Sequence, residues 1–308
     1  MSKQWDVVSA GEIYIDHIFA GFSSWPDRGS EVFAPSYVRE VGGGAAITAC
    51  GLGRLGRNVA VMGIVGVEEG AWIDSVLAAN GVDETMLQQT AGHTGTTVSI
   101  STVEDRTFFS YAGPNQDMST WLGEEAALEK LTQARHVHFA IALSRSLATR
   151  IFPALRRAGT TVSIDPGWQQ EWYEEPDNCA TCREADCFLP NEKEAAYLAG
   201  LTYGQSAPEE IASELLRMGF VNTVVKLGGQ GAISTKGNKI CRVPAPSVRV
   251  VDTTGAGDAF DAGLIDALLD NADMESMLKR GCLLGSCSVR AAGALAGLPM
   301  RNEIEEMR

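Results

Sequence analysis

Short apolar runs recur at 6–10, 59–65, 137–141, 161–164 and 223–227, and most are separated by stretches whose apolar residues repeat at helical spacing. The helical stretches include 45–55, 72–77 and 208–218, and Phe260, Leu264 and Leu268 share one face of another. Apolar runs of this length without polar alternation are strands covered on both faces. Strand and helix taking turns along a chain dictate a mostly parallel central sheet flanked by helices on both faces, because each parallel pairing needs a crossover that packs on the sheet. The expected class is α/β.

Two stretches break the alternation. Within 13–39 and 94–111, Val98, Ile100, Phe108 and Tyr111 sit among polar residues, which reads as short antiparallel strands. Inserted between strand–helix units, they are expected to form one small β-sheet folding over an edge as a lid, with lid segments at about 12–40 and 94–113. No internal repeat and no Pro- or Ser-rich linker divides the 308 residues, so a single domain over 1–308 with this appendage is expected.

A formal net charge of −14 excludes nucleic acid and anionic membrane as expected partners, since either requires a basic surface. A small molecule remains, and an anionic one would need a local cluster of backbone N–H groups, lysines or metal ions. Asp6, Glu12 and Asp16 interrupt the first apolar stretch, and no later segment has the ~18 uninterrupted apolar residues of a membrane span. Seven cysteines, an odd number scattered over the chain, suit reduced thiols, and a cytoplasmic location is expected.

The segment 250–260 is the most informative. Gly255, Ala256 and Gly257 lie between a strand and a helix, where small residues let the backbone approach a ligand and the first helical N–H groups point at it. Such donors stabilise charge on a phosphoryl group in transfer. Asp258, in the first turn, is placed to accept the proton of an attacking hydroxyl. The same residues also fit a plain helix start, because a first-turn Asp favours the dipole and glycine turns commonly end strands.

The string Asp252-Thr253-Thr254-Gly255-Ala256-Gly257-Asp258-Ala259-Phe260 closely resembles the C-terminal signature of the ribokinase (PfkB) family of carbohydrate kinases. The resemblance implies a ribokinase-like fold, with Asp258 as base and Gly255, Ala256 and Gly257 as anion hole. It further implies that Asp252 and Thr254 help hold a monovalent cation such as K⁺. Glu40-Val41-Gly42-Gly43-Gly44 resembles the N-terminal signature, in which Gly42 and Gly43 line the sugar site, and Asp16 matches an aspartate that bonds sugar hydroxyls. Asn191 and Glu194 resemble the family's Asn-x-x-Glu pair, which organises Mg²⁺-bound water and phosphates, although this spacing is also an ordinary capping box. Lys226, Gly228 and Gly231 resemble the strand and turn under the ATP phosphates and ribose. ATP, Mg²⁺ and a sugar-like acceptor are the implied ligands, and a homodimer through the lid is the implied assembly.

Three positions depart from that pattern. Ala46 or Ile47 stands where many members carry a substrate-binding Asn, the 137–142 strand lacks an acid that some place near the sugar, and Cys282 replaces an Asn of the nucleotide loop. Arg106, Tyr111 and Asn115 from the lid and Trp168 are further candidates for acceptor contact.

Rival readings are weaker. Cys179 and Cys182, with Cys187 nearby, have metal-site spacing, but no second Cys-x-x-Cys pair accompanies them. Gly42-Gly43-Gly44 does not follow the first strand as a dinucleotide fingerprint would, and no P-loop is present. The four histidines form no ligand or triad pattern. The expected activity is ATP-dependent phosphorylation of a hydroxyl on a small sugar-like molecule. A nucleoside kinase of the same fold and a non-catalytic sugar or nucleotide sensor are the alternatives.

Overall fold

The structure, a computed structural model, describes residues 3–102, 106–237 and 239–307. Positions 103–105 of the expected lid lie outside the described residues.

The five apolar runs become strands Trp5–Gly11, Val59–Gly66, Ala134–Ala140, Thr161–Ile164 and Asn222–Lys226. Among the described residues they belong to a ten-stranded sheet. From one edge the order is Lys239–Val243, Ala232–Lys236, Asn222–Lys226, Cys187–Phe188, Thr161–Ile164, Ala134–Ala140, Trp5–Gly11, Val59–Gly66 and Val82–Asp83. Leu87–Thr90 pairs the far half of Val59–Gly66. Pairing is parallel from Val82–Asp83 through Asn222–Lys226, and the two pairings at the other edge are antiparallel, so Ala232–Lys236 alone runs against the other strands of this order.

Alternation along Val59–Gly66 shows how the sheet divides the core. Ala60, Met62 and Ile64 face a layer with Phe139, Phe152 and Leu155, whereas Val59, Val61 and Val65 face Ala45, Ala49, Ala262 and Ile265. Small residues let the helix Gly44–Arg54 sit close to the helix Ala256–Leu269. A Cβ on Gly51 would meet that of Ala262 at 2.7 Å. This close packing fixes the start of one helix against the start of the other.

The inserted segments form a separate four-stranded sheet, in the order Ser36–Gly42, Tyr14–Phe22, Gly95–Thr102 and Arg106–Tyr111. Its outer pairs are antiparallel, as expected, but the central pair is parallel, with Asp16 opposite Thr97. That corrects the wholly antiparallel reading. Tyr14–Phe22 and Gly95–Thr102 each follow a strand of the main sheet and leave it in the same direction.

Candidate active site

The functional residues gather at the C-terminal ends of the parallel strands, where open α/β sheets bind ligands. There the helix Ala256–Leu269 begins without a side-chain cap, so its first N–H groups are available to an anion. Gly255 introduces it with φ 70°, a left-handed conformation, and a Cβ there would stand 2.5 Å from that of Ala294. Glycine is therefore required twice over at that position.

Two cavities meet at this helix start. One, of about 420 Å³, is lined by Lys226, Gly228, Gly231, Ala256, Gly257 and Cys282, which brings together residues far apart in sequence. The other, of about 240 Å³, is lined by Glu12, Tyr14, Gly44, Asp165, Trp168 and Asp258, with Gln169 beside them. Asp258 thus faces one cavity while Ala256 and Gly257 face the other. A Cβ on Gly44 would lie 2.9 Å from Oδ1 of Asp258, so the second glycine helix start gives this carboxylate its room. Burial, with the charge of Asp165 adding to it, pushes the Asp258 carboxyl up to about 7.

Behind Asp258 lies a buried ionic network. Lys226 Nζ donates to Asp165 at 2.6 Å and to the two oxygens of Asp261 at 3.2 and 3.1 Å. Burial alone would lower the lysine's pKa, but Asp165 and Asp261 override it and raise it. Asp165 is correspondingly held low despite its burial, and Asp261 is pushed up by burial. Asp165, Asp258 and Asp261 are the one group of potential metal ligands that converge among the described residues, yet the lysine already neutralises part of that cluster. Cys179, Cys182 and Cys187 join no such group, and burial raises all three thiols. His136 and His138 are buried, with pKa pushed down to about 3 and about 4, and bond Ser163.

Asp16 projects over the N-terminal glycines. A Cβ on Gly42 would stand 2.0 Å from its Oδ2. Burial, then the charges of Glu40, Asp258 and Asp252, raise Asp16 to about 7. Gly43 caps the helix at φ 87°, and a Cβ there would meet the Glu12 carbonyl oxygen at 2.3 Å. Of these three glycines, Gly44 rather than Gly42 or Gly43 reaches the smaller cavity.

Asn191 and Glu194 form a full capping box. The Asn191 backbone N–H donates to Glu194 Oε2 at 2.8 Å, its amide donates to Oε1 at 2.7 Å, and the Glu194 N–H donates back at 3.0 Å. Burial and the nearby Asp165 push Glu194 up to about 7. Each carboxylate oxygen keeps a second lone pair, which fits an outer role toward Mg²⁺, an ion that retains several waters.

Two expected acceptor contacts are directed elsewhere. Asn115 is buried, and its amide is committed to the Ile13 backbone, accepting from N–H at 3.1 Å and donating to C=O at 2.9 Å. Arg106 points to the Asp252–Thr254 turn, 3.0 Å from Asp252 Oδ1 and donating to Thr253 Oγ1 at 2.9 Å. Tyr111 is exposed on the small sheet.

Sequence reasoning missed Asp165, Asp261 and Glu12 as site residues. Asp261 carried a signal, since three residues after Asp258 it shares the same helix face. Glu40 stands in sequence only as the lead residue of a glycine motif, yet its carboxylate accepts from the Ala294 and Leu295 N–H groups and ties the small sheet to the far loop.

An uncapped helix start between a cavity of about 420 Å³ and a smaller acidic one of about 240 Å³, on a parallel sheet covered by helices on both faces, is an arrangement suited to a small-molecule kinase. The chain belongs to the pfkB family of carbohydrate kinases, whose profile matches residues 4–301. It is 30% identical over 288 residues to 2-dehydro-3-deoxygluconokinase of Bacillus subtilis, covering 87% of this chain and 86% of that one. It is 29% identical over 321 residues to fructokinase-1 of rice, covering 97% and 96%. The fold matches that of Arabidopsis thaliana ribokinase complexed with ribose and ATP, with TM-score 0.83, 22% identity and coverage of 100% and 99%. The ribokinase-like architecture and an ATP-dependent carbohydrate kinase activity follow from this membership. Among the described residues, no helix is long and apolar enough to cross a membrane.

Proposed function

We propose that the chain transfers the γ-phosphoryl group of ATP to a hydroxyl of a neutral sugar or polyol, with Asp258 as base. The observation that carries this reading is the placement of one helix start between two cavities, Asp258 on one side and Ala256 and Gly257 on the other. The acceptor hydroxyl passes its proton to Asp258 as its oxygen bonds to Pγ, and the bond from Pγ to the bridging oxygen breaks with its electrons leaving on ADP. The N–H groups at Gly255 to Gly257 receive the charge spread over the phosphoryl oxygens. Glu194 and Asn191 would hold water around Mg²⁺, which when bound would neutralise phosphate charge. Asp16 fits a role of orienting acceptor hydroxyls.

The charge of the smaller cavity supports a neutral acceptor. Among the described residues its lining includes Glu12, Asp165 and Asp258 but no lysine or arginine; Lys226 is bound to Asp165 and Asp261, and Lys193 is drawn to the face of the Trp168 ring, 4.5 Å from its centroid. A sugar acid or sugar phosphate would enter beside desolvated carboxylates with no lining lysine or arginine among the described residues to offset its charge. A coupled ADP-release screen with neutral hexoses and pentoses, nucleosides, keto-deoxy sugar acids and sugar phosphates tests this. Turnover with a neutral acceptor is expected, with kcat/KM for the matching acid lower by about tenfold or more. Turnover confined to acids would overturn the acceptor class, and ATP binding without turnover on any acceptor would favour a sensor.

The same reading takes residues 1–308 as one kinase domain and the small sheet as its lid, closing to exclude water. Trp25, Tyr37, Phe108 and Phe109, all about half exposed on or beside that sheet, support a homodimer formed through it. Light scattering of the wild type and of Phe109→Asp would check the dimer. The seven unpaired cysteines suit a reducing cytoplasm.

A further inference from the structure

The Asp252–Thr254 turn is where the family resemblance implies a monovalent cation, yet in this chain its oxygens are already partnered. Oδ1 of Asp252 accepts from the Thr254 N–H at 2.9 Å and from the Thr254 hydroxyl at 2.8 Å, and Oδ2 accepts from the Gly293 N–H at 3.0 Å. One guanidinium nitrogen of Arg106 stands 3.0 Å from Oδ1 and also donates to Thr254 Oγ1. The other donates to Thr253 Oγ1 at 2.9 Å. An alkali cation sheds its hydration only where several oxygens replace the lost water. Here Asp252 Oδ1 is taken up by the Thr254 N–H, the Thr254 hydroxyl and Arg106, which leaves Oδ2 as the one carboxylate oxygen with a single partner, and a positive charge already stands beside the carboxylate.

We propose that the Arg106 guanidinium takes the place of a monovalent cation at this turn, holding the anion hole at Gly255–Gly257 in shape so that turnover needs no K⁺. The proposal rests on the kinase reading for its catalytic consequence, though not for its binding consequence. Asp252 and Thr254 lead directly into Gly255, so whatever neutralises Asp252 sets the entry of the helix whose N–H groups face the phosphoryl group. A guanidinium forks between carboxylate and hydroxyl with directed N–H bonds, a geometry that a spherical ion does not impose. Arg106 is also part of the small sheet, in the strand Arg106–Tyr111, and Glu40 in its strand Ser36–Gly42 grips the neighbouring loop at Ala294 and Leu295. The charge is therefore delivered by the element that covers the acceptor side. Arg106 is a positioning residue in this scheme, since it acts through Asp252 and Thr254.

Two measurements on the full chain test the idea, each in KCl and in choline chloride of equal ionic strength. In thermal melting without substrates, the wild type is expected to melt at the same temperature in both salts. Arg106→Ala and Arg106→Gln should melt lower in choline and recover in KCl, because K⁺ at ten times its Kd multiplies the folded-to-unfolded ratio about tenfold. In turnover, the wild-type rate should be the same in both salts. The variants should lose about tenfold or more in choline and regain it with K⁺. A wild type that is activated or selectively stabilised by K⁺ overturns the proposal. So does a variant defect that K⁺ repairs no better than choline, which would make Arg106 an ordinary bond between sheets. Melting needs no acceptor, so silence on every acceptor would count against the kinase reading and leave the K⁺ comparison to decide this one.

Discussion

Lys226 Nζ lies 2.6 Å from Oδ2 of Asp165, and the two side chains are only 10% and 13% exposed. Asp261, fully buried, completes the network from the helix that carries Asp258. Lys226→Met would leave two carboxylates facing each other without water or a counter-charge. Breaking a buried pair from one side costs about 3–5 kcal/mol. Denaturant unfolding should show that loss, and Lys226→Met with Asp261→Leu should recover a large part of it. A single variant as stable as the wild type would mean that solvent reaches the network.

Asp258→Asn separates chemistry from stability. As the proposed base it is worth about two to four orders of magnitude in kcat, while the ATP Kd stays unchanged because Ala256, Gly257 and Lys226 line the nucleotide side. The folded-state pKa is raised to about 7, so the carboxylate opposes folding at higher pH, and its proton stabilises the fold only until pH rises through about 7. At pH 8 the Asn variant should therefore melt higher than the wild type, by about 1.5 °C for each kcal/mol relieved. Unimpaired turnover in this variant would remove Asp258 from the mechanism.

The pH profile follows from the same burial. Burial pushes Asp258 and Asp16 both up to about 7, so kcat/KM of the wild type should rise with pH to a plateau above about 7. With both carboxylates required, the acid limb should fall more steeply than the tenfold per pH unit expected for one proton, approaching about a hundredfold per unit well below 7. Asp16→Asn should flatten it to a single-proton limb. An acid limb centred near the ordinary carboxylate range would show that burial does not raise these groups in the free enzyme.

The central sheet was legible because its strands announce themselves locally, as Val59–Gly66 does with eight buried apolar or glycine residues in a row. Cys187–Phe188 and Val82–Asp83 were not, since two residues carry no period. The parallel pairing of Tyr14–Phe22 with Gly95–Thr102 joins segments some eighty residues apart, and nothing within either segment states the direction of its partner. The same division holds at the site. The Gly255–Asp258 turn is contiguous and was read directly, whereas Lys226, Asp165 and Asp261 come from three separate elements and meet only after folding. Arg106 and Asn115 had the right chemistry for acceptor contact, but hydrogen-bond partners outside their own segments direct them elsewhere.

Gly42→Ala tests the acceptor side. The added methyl would fall 2.0 Å from Oδ2 of Asp16, a distance that forces the carboxylate to move. The helix start and the nucleotide cavity lie on other elements. The acceptor KM should therefore rise by about tenfold or more while the ATP KM changes little. Equal losses for both substrates would mean that the whole helix start at Gly43 had shifted.

Asp266 is a further fully buried carboxylate, ringed by arginines, and its role should be purely structural. Arg57, Arg280 and Arg301 each reach it at 2.6 Å, from the loop after the first helix, from the helix Met274–Ser288 and from the C-terminal helix Arg301–Glu306. One fully buried carboxylate thereby pins three segments to the helix that bears the anion site, and Asp270 shares two of the arginines. Removing the carboxylate strands three guanidinium groups together, so Asp266→Ala should cost about 3–5 kcal/mol in denaturant unfolding. Arg301→Ala, whose side chain is one-third exposed and has two neighbouring arginines to take over, should cost about 1 kcal/mol or less. Asp266 lies about 12 Å along the helix from Asp258 at 1.5 Å per residue, so the folded fraction of Asp266→Ala should keep wild-type KM values for both substrates. Altered KM values at temperatures where the variant remains folded would show instead that this cluster sets the pitch of the helix at its catalytic end.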